Sequence, residues 1–169
     1  GLLDIPVNGV GLLGHGLDKY AEHTTERGDP LVMVGNYKLS STTKKKLGMM
    51  NLSQKHKLPW YQDRAYLEPE AAAKFMEMRE AFGEDIPLES AYRNSRHNNV
   101  LPDSSTTSVH LEGLAIDVRD SKGRDWMMKH GEKYGWKLAN YRKKDGSKNK
   151  SHFYFTGHMG GKVDMSHGA

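Results

Sequence analysis

The chain has 169 residues and a formal net charge of +4, enough length for one domain with a true hydrophobic core. It contains no cysteine, which excludes disulfides and thiolate metal sites and leaves His, Asp and Glu as the only strong metal ligands. Hydrophobic residues make up 36%, and no apolar run approaches the ~18 residues of a membrane-crossing helix, so no membrane span is expected.

A pI near 9.1 favours an anionic partner, such as an acidic cell-wall polymer. Nucleic acid is not expected. The basic residues gather at Lys44, Lys45 and Lys46 and in the run 142–150, without the interleaved aromatics of single-strand binders. The first residue is Gly1, and Gly1-Leu2-Leu3-Asp4 lacks the basic-then-apolar form of a signal peptide. These features suggest a domain or processed product of a larger protein.

Residues 1–62 read as an N-terminal extension or linker. Four glycines fall within 9–16, and Leu31-Val32-Met33-Val34 after Pro30 is a short strand. Residues 40–46 form a polar, basic loop, and Pro59-Trp60-Tyr61 is a turn with aromatic anchors. Residues 63–169 carry the clearer elements. Glu68-Pro69 opens a helix with Ala71, Phe75, Met78 and Phe82 along one face, and Gly83 stops it. A strand over 86–92 ends at Arg93. A polar loop over 94–107 leads to a second strand at 114–118. Residues 122–134 form a helix closed by Gly135. Strands at 137–141 and 152–155 pair as a hairpin across a basic loop containing the Asp145-Gly146 turn. The tail from 157 is glycine-rich and poor in apolar residues. The fold class is therefore α+β: a small, mostly antiparallel sheet with helices packed on one side and polar loops at one edge.

The residues with chemical potential stand at that edge. His110 and Asp117 lie seven positions apart across Gly113. This spacing suits a loop histidine, a tight turn at the glycine and an aspartate on the following strand. Ala115, two before Asp117, leaves room on the same side of the strand. Catalytic zinc takes three protein ligands and keeps one position open, and His152 opens the last strand nearby. Nine histidines make chance pairs easy, and His110 or His152 taken alone also suits a core or surface role. His158 is a second histidine close enough in sequence to compete.

Ser108-x-His110-x-x-Gly113-x-Ala115-x-Asp117 resembles the S-x-H-x-x-G-x-A-x-D motif of a zinc peptidase family. That family includes D-alanyl-D-alanine carboxypeptidases, related dipeptidases and the L-alanyl-D-glutamate endopeptidases of phage endolysins (LAS-type peptidoglycan peptidases). Ser90-Ala91-Tyr92-Arg93 is similar to the family's S-G-Y-R strand end, with alanine in the glycine's place, and His152-Phe153 matches its H-F pair. The resemblance covers about residues 69–156. It implies that His110, Asp117 and His152 hold zinc, that Arg93 polarises the scissile carbonyl, and that Ser108 binds substrate or orients the site.

One position departs from the pattern. Three residues before the last histidine the family places a carboxylate as general base, and here that position is Asn149. An amide has no carboxylate to accept a proton. Three explanations follow: an engineered replacement, a substitute base (Asp145, or more distantly Glu112), or a domain that binds without cleaving. The resemblance implies zinc-dependent hydrolysis of an amide bond in peptidoglycan stem peptides, in the periplasm or cell wall, with an endopeptidase favoured over a carboxypeptidase. The alternative is a catalytically dead, zinc-containing module of a phage tail or secretion apparatus.

Overall fold

The structure, a computed structural model, describes residues 23–36, 64–95, 98, 108–139 and 145–157. The expected loop at 40–46, the aromatic turn at 59–61, most of the loop at 94–107, His158 and the tail beyond 157 lie outside the described residues.

The fold is α+β, as the sequence implies, but its strands divide between two antiparallel sheets. Strands β1 (His23–Thr24), β2 (Pro30–Asn36) and β3 (Arg64–Leu67) form the first, in that order. Strands β4 (Leu88–Ser90), β5 (Ala115–Val118), β6 (Trp136–Leu138) and β7 (His152–Phe155) form the second, in the order β4-β5-β7-β6. The β6–β7 hairpin expected from the sequence is present, with Trp136 opposite Phe155. The first sheet was not foreseen as a sheet. Its edge strand is two residues long, and β3 holds only the two inward residues Ala65 and Leu67, too few to set a period-2 pattern apart from a loop.

Helix α1 (Pro69–Phe82) is built as its sequence dictates. The Glu68 carboxylate accepts from the backbone N–H groups of Glu70 and Ala71 at 2.7 and 3.3 Å, and Pro69 occupies the first turn, where no N–H is needed. Gly83 closes the helix in the left-handed conformation. The helix bridges the two sheets. Phe75 meets Trp136 of β6 edge-on at 6.4 Å, and the Arg79 guanidinium donates to the Val34 carbonyl of β2 at 2.9 Å. The second expected helix divides into α2 (Ser121–His130) and a 3-10 turn (Gly131–Tyr134). Phe82 of α1 packs on Trp126 of α2 at 5.2 Å. A single core runs from Val32 and Val34 of β2 through Phe75 and Met78 to Ile116, Trp136, Phe153 and Phe155.

Strand β4 is shorter than the expected 86–92. A register shift between Leu88 and Ser90 interrupts its pairing with β5, and the Tyr92 N–H leaves the second sheet to donate to Tyr66 of β3 at 3.0 Å. The sheets are joined a second time where the Glu68 N–H donates to the Gly113 carbonyl at 2.9 Å. Gly113 has φ 72°, and a Cβ there would lie 2.8 Å from both the Glu68 nitrogen and a Leu31 methyl group. Glycine is required at this position both for its backbone conformation and for the close approach. Gly113→Ala is expected to destabilise the fold by roughly 2–4 kcal/mol in urea unfolding, because strain and clash act together. A loss below about 1 kcal/mol would mean that the junction yields without cost.

Candidate metal centre

The second sheet sets three polar residues abreast. Ser90 of β4 faces Asp117 of β5, which faces His152 of β7. His110 comes to this row from a 3-10 turn (Val109–Glu112) placed between the two sheets. Ser108 caps that turn, its hydroxyl accepting the His110 N–H at 3.2 Å.

The buried His110 ring is fixed at its back. Its Nδ1 lies 2.7 Å from the Ala91 carbonyl, which can only accept, so Nδ1 carries the proton and Nε2 presents a lone pair. That Nε2 lies 3.1 Å from His152 Nδ1 and 3.4 Å from Asp117 Oδ1, and the last two atoms are 3.0 Å apart. Tetrahedral zinc with Zn–N distances of ~2.0–2.1 Å has ligand-to-ligand edges of about 3.3 Å. The three donors thus form one face of such a tetrahedron. The donor set, two imidazoles and a carboxylate, is also a zinc set. Among the described residues these three form the group of His, Asp and Glu side chains that could hold a metal.

The electrostatics suit a cation. Burial first, and then the Arg93 charge, bring the His110 pKa down to about 4, so the imidazole is neutral at pH 7, as a ligand must be. Burial alone would push the Asp117 carboxyl up. The two imidazoles beside it outweigh that effect and hold it well below the usual carboxylate range.

Residues 38–147 match Peptidase M15. The chain belongs to this peptidase family. The matched span includes Arg93, Ser108, His110 and Asp117 and stops short of Asn149 and His152, and geometry brings His152 to the group. No curated protein matches the chain. Among solved structures, LdcB, an LD-carboxypeptidase whose structure is described as revealing the molecular basis of peptidoglycan recognition, is similar at 20% identity and a TM-score of 0.40. The likeness spans 53% of this chain and 64% of that one.

The other expected site residues of this M15 peptidase fall into two groups. Arg93 and Ser108 stand beside His110. Arg93 is only 3% exposed, so it is no surface ion-pair residue. Its backbone N–H donates to the His110 carbonyl at 3.0 Å and its guanidinium to the Ser108 hydroxyl at 3.4 Å. Asn149 is buried at 8% exposure next to β7. Its Oδ1 accepts from the N–H groups of Ser151 and His152 at 2.9 and 3.0 Å, and from the Ser151 hydroxyl at 3.2 Å. The asparagine thus fixes the backbone that carries His152. Asp145 is exposed, and its carboxylate accepts from the Ser147 N–H and hydroxyl in a local turn. Glu112 is exposed beside Arg27 at 3.5 Å.

Two contributors were missed from the sequence. The Ala91 carbonyl that orients His110 is a backbone group and leaves no side-chain signal. The tip of the β1–β2 hairpin, Thr25, Glu26 and Arg27, lines a cleft of about 370 Å³ that reaches Arg93 and Ser108.

The low His110 pKa has a consequence for stability. The unfolded histidine, with an ordinary pKa of 6.5, takes a proton that the folded one refuses until about pH 4. Stability is therefore greatest above pH 6.5 and falls as the pH drops towards 4, by roughly 3 kcal/mol in total. Urea unfolding of chelator-treated protein across this window is expected to show that loss, and His110→Gln to reduce its slope by about one proton. An unchanged slope in the variant would mean that His110 is not the group responsible.

Proposed function

We propose that this M15 peptidase hydrolyses an amide bond in peptidoglycan stem peptides, with zinc held by His110 Nε2, His152 Nδ1 and Asp117 Oδ1. The observation that carries the reading is the convergence of these three atoms at tetrahedral-edge spacing, with a buried arginine beside them. Zinc in such a site supplies Lewis-acid chemistry, activating water and polarising a carbonyl.

The chain's own residues do the rest. Ala91 and Ser108 hold His110 in the ligating tautomer and orientation. Arg93, its guanidinium steadied by the Ser108 hydroxyl, presents a permanent charge to the oxygen of the scissile carbonyl as negative charge develops there. Asn149 sets the His152 backbone but has no carboxylate to accept a proton. The positive surface suits an anionic wall outside the cytoplasm. Endopeptidase action is favoured over carboxypeptidase action on the basic charge of the chain.

The position of Asn149 favours one second reading: a family member that binds zinc and wall peptide without cleaving, as part of a larger phage or secretion assembly. Zinc content and turnover on purified peptidoglycan separate the two. The proposed function expects about one zinc per chain, lost in His110→Ala, Asp117→Ala and His152→Ala, together with release of stem-peptide fragments. Asn149→Asp is expected to raise turnover by roughly a hundred- to ten-thousand-fold, the usual contribution of a general base. Unit zinc with no cleavage by either the native chain or Asn149→Asp would establish the binding module instead.

A further inference from the structure

The cleft beside Arg93 holds four charged side chains, Arg27, Arg93, Glu26 and Glu112. Two of them are engaged within the protein. Glu26 Oε1 accepts from the Ser95 N–H at 2.7 Å and the Ser95 hydroxyl at 2.9 Å, tying the hairpin tip to the chain that follows Arg93. Arg93 is buried against Ser108. The other two face each other at the surface. Arg27 Nη2 lies 3.5 Å from Glu112 Oε1 and 3.4 Å from Asp29 Oδ2 on its own turn, and all three side chains are well exposed. Arg27 and Glu112 come from positions 85 residues apart, one on the hairpin tip and one on the turn that carries His110.

An exposed pair at this distance contributes little to folding. The hairpin tip is nevertheless set by three hydrogen bonds of its own: Thr25 N–H to the Asp29 carbonyl at 2.8 Å, Gly28 N–H to the Thr25 carbonyl at 2.9 Å, and Asp29 N–H to the Thr25 hydroxyl at 3.1 Å. A fixed turn therefore carries an arginine into the cleft, where it meets a loosely held carboxylate. A bidentate carboxylate from a ligand binds a guanidinium better than these two long contacts from one nitrogen do.

The geometry points to Arg27 as the recognition residue for a free carboxylate on the bound peptide, with Glu112 standing in for that carboxylate until the peptide arrives. The inference rests on the peptidase reading above and names the substrate feature that the cleft selects. A monoanionic carboxylate is the matching ligand. It takes the place of Glu112 at Arg27 and brings one negative charge towards Glu26, Asp29 and Glu112, whereas a dianionic phosphate would bring two. The peptide would lie from Arg93 to Arg27, so the selected carboxylate belongs to a residue near the scissile bond and not to the bond itself.

The two partners predict opposite effects. The test is calorimetric titration of the full chain, with zinc added, using a synthetic stem pentapeptide as the free acid and with each of its carboxylates amidated in turn. Peptide cleavage is quantified at the end of each run. The native chain is expected to bind the free acid roughly tenfold more tightly than one of the amides. Arg27→Gln is expected to erase that preference, and Glu112→Gln, which removes the competitor from the turn that carries His110, to tighten binding of the free acid severalfold. A carboxylate preference that survives in Arg27→Gln, or weaker binding of the free acid by Glu112→Gln, overturns the inference and leaves the peptidase reading standing. No binding of any stem peptide by the native chain overturns the inference together with the proposed substrate class. Zinc content in the same samples reports on the metal centre independently.

Discussion

The hydrogen bond from His110 Nδ1 to the Ala91 carbonyl, 2.7 Å long and fully buried, sets the chemistry of everything around it. It decides which ring nitrogen keeps a proton and which offers a lone pair. It also ties the turn that carries His110 to the end of β4, where the Arg93 N–H returns a bond to the His110 carbonyl. Ser108 joins the same unit twice, capping the turn and accepting from the Arg93 guanidinium. Ligand, cap and arginine therefore cannot move independently. The turn itself is wedged between the two sheets at Gly113, where Glu68 and Leu31 leave no room for a side chain. Accuracy at the centre comes from packing at the sheet junction several residues away.

What the sequence made legible follows from how each feature is encoded. Helix α1 was readable because proline, an acidic cap, an apolar face and a closing glycine all agree within fifteen residues. The β6–β7 hairpin and the His110–Asp117 pair were readable for a similar reason, since local spacing determines the geometry. The two-sheet arrangement was not readable. It depends on β3, whose four residues acquire meaning only when paired with β2 some thirty residues earlier. The long helix expected over 122–134 shows the reverse failure: its side-chain pattern continues, but the backbone tightens at Gly131 into a 3-10 turn. The orienting carbonyl of Ala91 and the cleft wall at Arg27 were invisible because a backbone acceptor and a remote hairpin carry no local pattern.

Asn149 illustrates two demands on one side chain. The start of β7 has backbone N–H groups at Ser151 and His152 that need an acceptor, and the Asn149 amide oxygen supplies one. A carboxylate at this position can accept the same two bonds through one oxygen and keep a second for proton transfer. An amide offers one oxygen, and its nitrogen can only donate. The asparagine therefore places His152 and offers no carboxylate to accept a proton. The placement of His152 therefore depends on the acceptor at 149 and not on a charge there.

The side chain at 149 also bears on the charge of the site. Arg93 and ionised Asp117 balance each other, and His110 is neutral. In the proposed site, a divalent cation held by the three side chains would leave the centre two charges positive. In a relative with a carboxylate at the base position the excess is one. Burial magnifies the difference, because the protein interior screens charge far less than water does. In the proposed zinc site, a neutral side chain at 149 would therefore leave the centre more attractive to an anionic group than a carboxylate would, and the cleft that reaches Arg93 carries Arg27 on its wall.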